Sequence, residues 1–134
     1  MTLRATGRFE VKLVRQTQDG EFDDPSLARL SIDKRFEGDL QGTSRGQMMS
    51  ARTGVENSAG YVALERVSGT LHGRSGTFML QHSSTLARGV AVQSITVVPD
   101  SGSGELVGLE GRMTIHIVDG KHFYELESTL PKDF

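Results

Sequence analysis

Met113-Thr114-Ile115-His116-Ile117-Val118-Asp119-Gly120-Lys121-His122-Phe123-Tyr124-Glu125-Leu126 decides the fold. Two runs of alternating character flank Asp119-Gly120, and Asp-Gly between two β-runs is the preferred two-residue type I′ hairpin connection, because both central residues take positive φ. The turn fixes a register. If Val118 pairs with Lys121, then Ile117 opposes His122, Ile115 opposes Tyr124 and Met113 opposes Leu126, all on one apolar face. The other face carries His116 opposite Phe123, Thr114 opposite Glu125 and Arg112 opposite Glu127, the last pair placed for an exposed cross-strand ion pair. His116 and His122 fall on opposite faces, so no metal site is expected on that pair.

The same period of two recurs along the chain. Phe9, Val11 and Leu13 alternate with Arg8, Glu10 and Lys12, and Leu30, Ile32, Lys34 and Phe36 alternate with Ser31, Asp33 and Arg35. Further strands are read over 47–52, 61–67, 76–86, 92–98, 106–118 and 121–130. No window shows a capped helical period, and helix is expected at most as a turn around Asp24-Pro25-Ser26. The 16 glycines are spread between these runs, as turn residues would be. The class is all-β, a single domain over residues 1–134. About eight antiparallel strands must hide their edges, and closure into an up-and-down barrel removes edges altogether. A β-sandwich satisfies the same spacing.

Composition narrows the function. A chain of 134 residues buries roughly two-thirds of its extended surface, enough for a core without staples. Cysteine is absent, which excludes disulfides, thiolate metal sites and thiol nucleophiles. Fifteen Lys and Arg against 17 Asp and Glu, with 6% aromatics, leave no electrostatic footprint for nucleic acid. No apolar run reaches the ~20 residues that span a bilayer, and 1–10 lack the apolar stretch of a signal peptide, so no membrane partner and a cytoplasmic location are expected. Gly-x-Ser-x-Gly and His-Glu-x-x-His do not occur. Ser101-Gly102-Ser103-Gly104 resembles a phosphate loop only superficially, since no helix and no Gly-Lys-Ser/Thr accompany it; it reads as a flexible connection.

The second hairpin, 61–86, turns near Gly73-Arg74-Ser75-Gly76. A turn at Gly73-Arg74 sets Glu65 opposite His82, and one at Arg74-Ser75 moves the pairing by two residues. Parity is the same in both, so Tyr61, Ala63, Glu65 and Val67 share a face with Phe78, Leu80 and His82. Three ionisable side chains, Lys34, Glu65 and His82, therefore interrupt faces assigned to the interior. Three readings stand. They line a lumen and bind a small ligand, with Tyr61 and Tyr124 adding hydroxyls and proton transfer within reach. They form a buried Lys34–Glu65 ion pair with His82 as hydrogen-bond partner, holding register without chemistry. Or they lie at strand ends, open to water.

Four blocks carry a resemblance. They are Phe36-Glu37-Gly38-Asp39-Leu40-Gln41-Gly42, the run from Tyr61 to Gly69, the run from Gly73 to His82, and the run from Val98 to Gly111. In order, they resemble an uncharacterised bacterial family, domain of unknown function 3224, over nearly the whole chain. The Ser-Gly-x-Gly-x-Leu-x-Gly-x-x-Gly block is similar to the glycine-rich strand of allene oxide cyclases and dirigent proteins. The resemblance implies an eight-stranded antiparallel barrel of the allene oxide cyclase type, often oligomeric, with a pocket and no cofactor. It supplies no catalytic residue. Lys34, Tyr61, Glu65, Gln81 and His82 fall inside or beside the matching blocks.

The expectation is a barrel that binds a small, partly apolar molecule in its lumen, with Lys34, Tyr61, Glu65, Gln81, His82 and Tyr124 as candidate ligand-binding residues and neither metal nor cofactor. A cofactor-free cyclase or isomerase using the same residues is the alternative, as is an oligomerisation module without chemistry. A homo-oligomer, with a dimer favoured, is suggested by apolar residues on the nominally outward set, such as Val62, Leu64 and Met79.

Overall fold

The structure, a computed structural model, describes residues 2–17 and 24–131. In chain order the strands are β1 (Thr2–Arg15), β2 (Leu27–Gly38), β3 (Leu40–Arg52), β4 (Ala59–Leu71), β5 (Arg74–Ala87), β6 (Val90–Val97), β7 (Glu110–Val118) and β8 (Lys121–Thr129). A 3₁₀ turn at Gly104–Leu106 lies between β6 and β7. Each strand pairs antiparallel with the next, and β8 closes on β1, so the chain forms an up-and-down barrel and not a sandwich.

The turns explain the registers. Asp119 and Gly120 have φ of 52° and 77°, both positive as a type I′ turn requires, and β7 and β8 pair as Ile117↔His122, Ile115↔Tyr124 and Met113↔Leu126. Arg112 and Glu127 also oppose each other, but no ion pair joins them among the described residues. Glu125 instead takes Arg4 of β1, whose Nε lies 2.9 Å from Oε1. Between β4 and β5 the tight turn is His72-Gly73, at φ of 48° and 80°, one residue earlier than Gly73-Arg74 and two earlier than Arg74-Ser75, the turns read from sequence. Glu65 thus opposes Leu80, and His82 opposes Ala63. Parity is untouched, so the shared face holds.

Two boundaries differ from the sequence reading. β3 starts at Leu40 and not near residue 47, because its inward positions there are Gly42, Ser44 and Gly46, which show no apolar alternation. β7 starts at Glu110 and not at 106, because Leu106 and Leu109 turn inward and are almost fully buried. Each such side chain contributes roughly 1.5–3 kcal/mol by leaving water.

The two ends of the barrel are unlike. At one end Leu40, Leu71, Leu106 and Leu109 pack into the core as a plug. The segment 98–109, whose Ser101-Gly102-Ser103-Gly104 stretch reads as a flexible connection, is tied along β5: Val98 N–H donates to Met79 O at 2.9 Å and Ser103 N–H to Thr77 O at 2.8 Å. Ser101 Oγ accepts from Met79 N–H at 3.0 Å, and Ser103 Oγ from Thr77 N–H at 3.1 Å. The serines therefore extend the ladder where β6 has left it. At the other end, Leu13, Val90, Val92, Ile117 and Val118 are exposed around an open mouth. β6 and β7 are joined by only two strand pairs, Ile95↔Met113 and Thr96↔Arg112. Beyond these, the carboxamide of Gln93 takes the place of backbone, accepting from Ile115 N–H at 2.7 Å and donating to Ile115 O at 3.2 Å.

Candidate functional site

Alternation brings Lys34, Ser44, Glu65 and His82 from four consecutive strands, β2 to β5, onto the inner face. All four are buried, Glu65 to 2% exposure. Gly46, beside Glu65 in the β3–β4 register, makes the approach feasible: a Cβ there would lie 2.6 Å from Glu65 Cα and 2.8 Å from its Cβ.

Glu65 is the hub. Its Oε2 accepts from Lys34 Nζ at 2.8 Å and lies 2.6 Å from His82 Nε2, while its Oε1 accepts from Ser44 Oγ at 2.8 Å. Burial alone would push this carboxyl up from its usual 4.5, but the His82 hydrogen bond and the Lys34 charge outweigh it and hold the group at about 2. The group is therefore a carboxylate at neutral pH. A carboxylate only accepts, so Nε2 carries the proton in their hydrogen bond, and in the neutral tautomer Nδ1 is the lone pair left on the ring. Lys34 Nζ also sits 4.8 Å from the Phe9 ring centre, which places its charge over an aromatic face.

Above this cluster, at the open end of the barrel, lies a cavity of about 170 Å³. Its apolar wall comes from Phe9, Val11 and Leu13 of β1, Ile32 of β2, Met48 of β3, Ala63 of β4 and Ile115 and Ile117 of β7. Lys34, Tyr61, His82 and His122 supply its polar groups. Glu65 and Ser44 do not line it; Lys34 and His82 connect the carboxylate to it. Tyr61 lies 6.3 Å from His82, centre to centre, with the rings tilted at 41°.

The sequence-predicted residues divide accordingly. Lys34, Tyr61, Glu65 and His82 come together. Gln81 does not: it is one residue from His82, so alternation turns it outward, and it is exposed. Tyr124 faces inward but lies deeper, toward the plugged end. Its hydroxyl accepts from Leu40 N–H at 2.9 Å and approaches Glu37 O at 2.9 Å and Leu40 O at 3.1 Å. Burial pushes that hydroxyl up from the usual 10, and no capacity remains for a ligand. His122 joins the cavity although it was not a candidate; its place opposite Ile117 was the signal. Its ring packs 5.2 Å from Phe9, at the end of an aromatic row that runs through Phe36 to Tyr124.

A family model described as "Protein of unknown function (DUF3224)" matches residues 5–127. The chain belongs to the DUF3224 family. Among solved structures, the DUF3224 fold described here is similar to the crystal structure of a protein with unknown function from the same family in Shewanella oneidensis MR-1. The two are 43% identical, each is covered over 98% of its length, and the TM-score is 0.91. No curated protein matches the chain. No helix among the described residues is long and apolar enough to cross a membrane.

Proposed function

We propose that this DUF3224 barrel binds a small, partly apolar molecule at the open end of its lumen, with Lys34, Tyr61 and His82 facing the molecule and Glu65 fixing Lys34 and His82 from behind. One observation carries the reading: a cavity of about 170 Å³, apolar in its walls, has a carboxylate-oriented imidazole on one side. A few convergent polar groups in an apolar concavity are the usual make-up of a small-molecule site. A barrel needing only a core would close over this end as it does over the other, where Leu106 and Leu109 fill the space.

A cofactor-free isomerase or cyclase is the second reading, favoured by one feature. Glu65 at 2.6 Å from Nε2 sets the His82 tautomer, as a carboxylate does for a general base, and leaves Nδ1 for a substrate proton. The likeness to allene oxide cyclases, drawn from the glycine-rich block, belongs to this reading. Assembly into a homo-oligomer, a dimer first, is supported by Val62 and Leu64, which are 55% and 56% exposed on successive outward positions of β4.

Native mass spectrometry of freshly purified protein, followed by denaturation, tests the proposal. The expected result is one defined compound released per barrel. An empty protein, purified from more than one host and unchanged in mass by millimolar ring compounds, would overturn it.

A further inference from the structure

We infer that the cavity takes a neutral, single-ring hydroxyl compound, of the phenol class, which donates its O–H to His82 Nδ1. This rests on the ligand-binding reading above and narrows it to one chemistry.

Size sets the scaffold. A cavity of about 150 Å³ lined by Leu, Ile and Phe holds benzene, and the volume here is about 170 Å³ with Phe9, Ile32, Met48 and Ile115 in its wall. One ring with a small substituent fills it.

Charge excludes the ions. Lys34 spends its charge on Glu65 at 2.8 Å and on the Phe9 face at 4.8 Å, and Glu65 spends both oxygens on Lys34, His82 and Ser44. With His82 in its neutral tautomer, the charges of Lys34 and Glu65 cancel. An anionic ligand meets no free cation there, and a cationic one meets no free carboxylate, so either would be desolvated without compensation.

Hydrogen bonding places the hydroxyl. Nε2 donates to Glu65, and no described residue hydrogen-bonds Nδ1. Nδ1 is also not sealed: Ser84 Oγ is the one sealed side-chain polar atom without a protein partner among the described residues. His82 is buried and lines the cavity, so the cavity is the route to its lone pair. Ser84 faces Tyr61 across the β4–β5 ladder, and the Tyr61 hydroxyl likewise has no partner among the described residues. Two of the cavity's polar side chains, Tyr61 and His82, thus share the β4–β5 wall, while the β1 and β7 walls are apolar and His122 of β8 between them packs its ring against Phe9. That asymmetry fits a ring with a polar group at one end.

The full chain titrated calorimetrically with phenol, benzene, benzoate and benzylammonium, with nitrogen NMR of its imidazoles, tests the inference. Phenol is expected to bind about tenfold more tightly than benzene, the worth of one neutral hydrogen bond, with a shift of the His82 Nδ1 resonance that benzene does not produce. Equal binding of phenol and benzene with Nδ1 unmoved would overturn the phenol class and leave the ligand-binding reading standing. Tighter binding of either ion would do the same. No binding of any probe at millimolar concentration would bring down both. The wild-type chain suffices, so a His82→Phe variant that fails to fold does not blunt the test.

Discussion

His82 Nε2 lies 2.6 Å from Glu65 Oε2 although the two residues are not cross-strand partners: Glu65 opposes Leu80, and His82 opposes Ala63. The contact is diagonal, two residues along the neighbouring strand, a distance that a glutamate and an imidazole can span. It ties β5 to β4 while Lys34 and Ser44 tie β2 and β3 to the same carboxylate.

Breaking that hub from one side is expected to be costly. Lys34→Met leaves the Glu65 charge buried without its cation, and removal of one partner of a buried pair costs about 3–5 kcal/mol. Replacing both members, as Lys34→Met with Glu65→Leu, is expected to recover most of the loss, because the charge that needed compensation is gone. Urea denaturation of the single and double variants measures both values.

Acid separates Glu65 from the surface carboxylates. Its folded value of about 2 lies below the usual 4.5, so the folded state holds its proton less tightly than the unfolded chain. The stability this provides is fully present above about pH 5 and is lost as pH falls from about 4.5 toward 2, to a total of about 3 kcal/mol. Denaturation midpoints across that range should show the loss. The Lys34→Met, Glu65→Leu variant should show it reduced by about that amount.

The seam between β6 and β7 depends on one side chain. Gln93 supplies the donor and the acceptor for Ile115 where strand pairing has stopped. Gln93→Ala is expected to cost about 1 kcal/mol, since the site is exposed and water replaces part of the bonding. The sharper readout is hydrogen exchange: the Ile115 amide should exchange faster in the variant, with the Met113 amide much less affected.

Ser44→Ala removes the one hydrogen bond that Glu65 Oε1 accepts among the described residues, while Lys34 and His82 keep theirs to Oε2. A loss of about 1–3 kcal/mol is expected on thermal denaturation, the range for leaving a buried acceptor short of one donor.

Much of this was legible in the residues. Asp119-Gly120 fixed the β7–β8 register, and alternation through Lys34, Glu65 and His82 placed three ionisable groups inside. Period-two parity survives an error in the turn, which is why the misplacement of one or two residues at His72-Gly73 left the shared face intact. Other features rest on interactions that alternation does not encode. Gln81 was a candidate because it falls with His82 in one block of the family resemblance, whereas adjacent strand residues point to opposite sides. Tyr124 has the right parity but the wrong depth, because depth depends on how far the strands are staggered around the closed barrel. Ser101-Gly102-Ser103-Gly104 looked like a flexible connection, since its serine hydroxyls act through β5 backbone groups more than 20 residues away. Small inward residues at Gly42, Ser44 and Gly46 hid the first half of β3 and, with it, the Ser44 hydrogen bond to Glu65.

Xenon pressurisation of crystals of the wild-type protein tests the central claim most directly, because apolar cavities of this size take up the gas. The account predicts a xenon peak, or a co-purified molecule in its place, between Met48, Ile115 and His82. A lumen closed by its own side chains at that position, with neither xenon nor any other occupant, would contradict it.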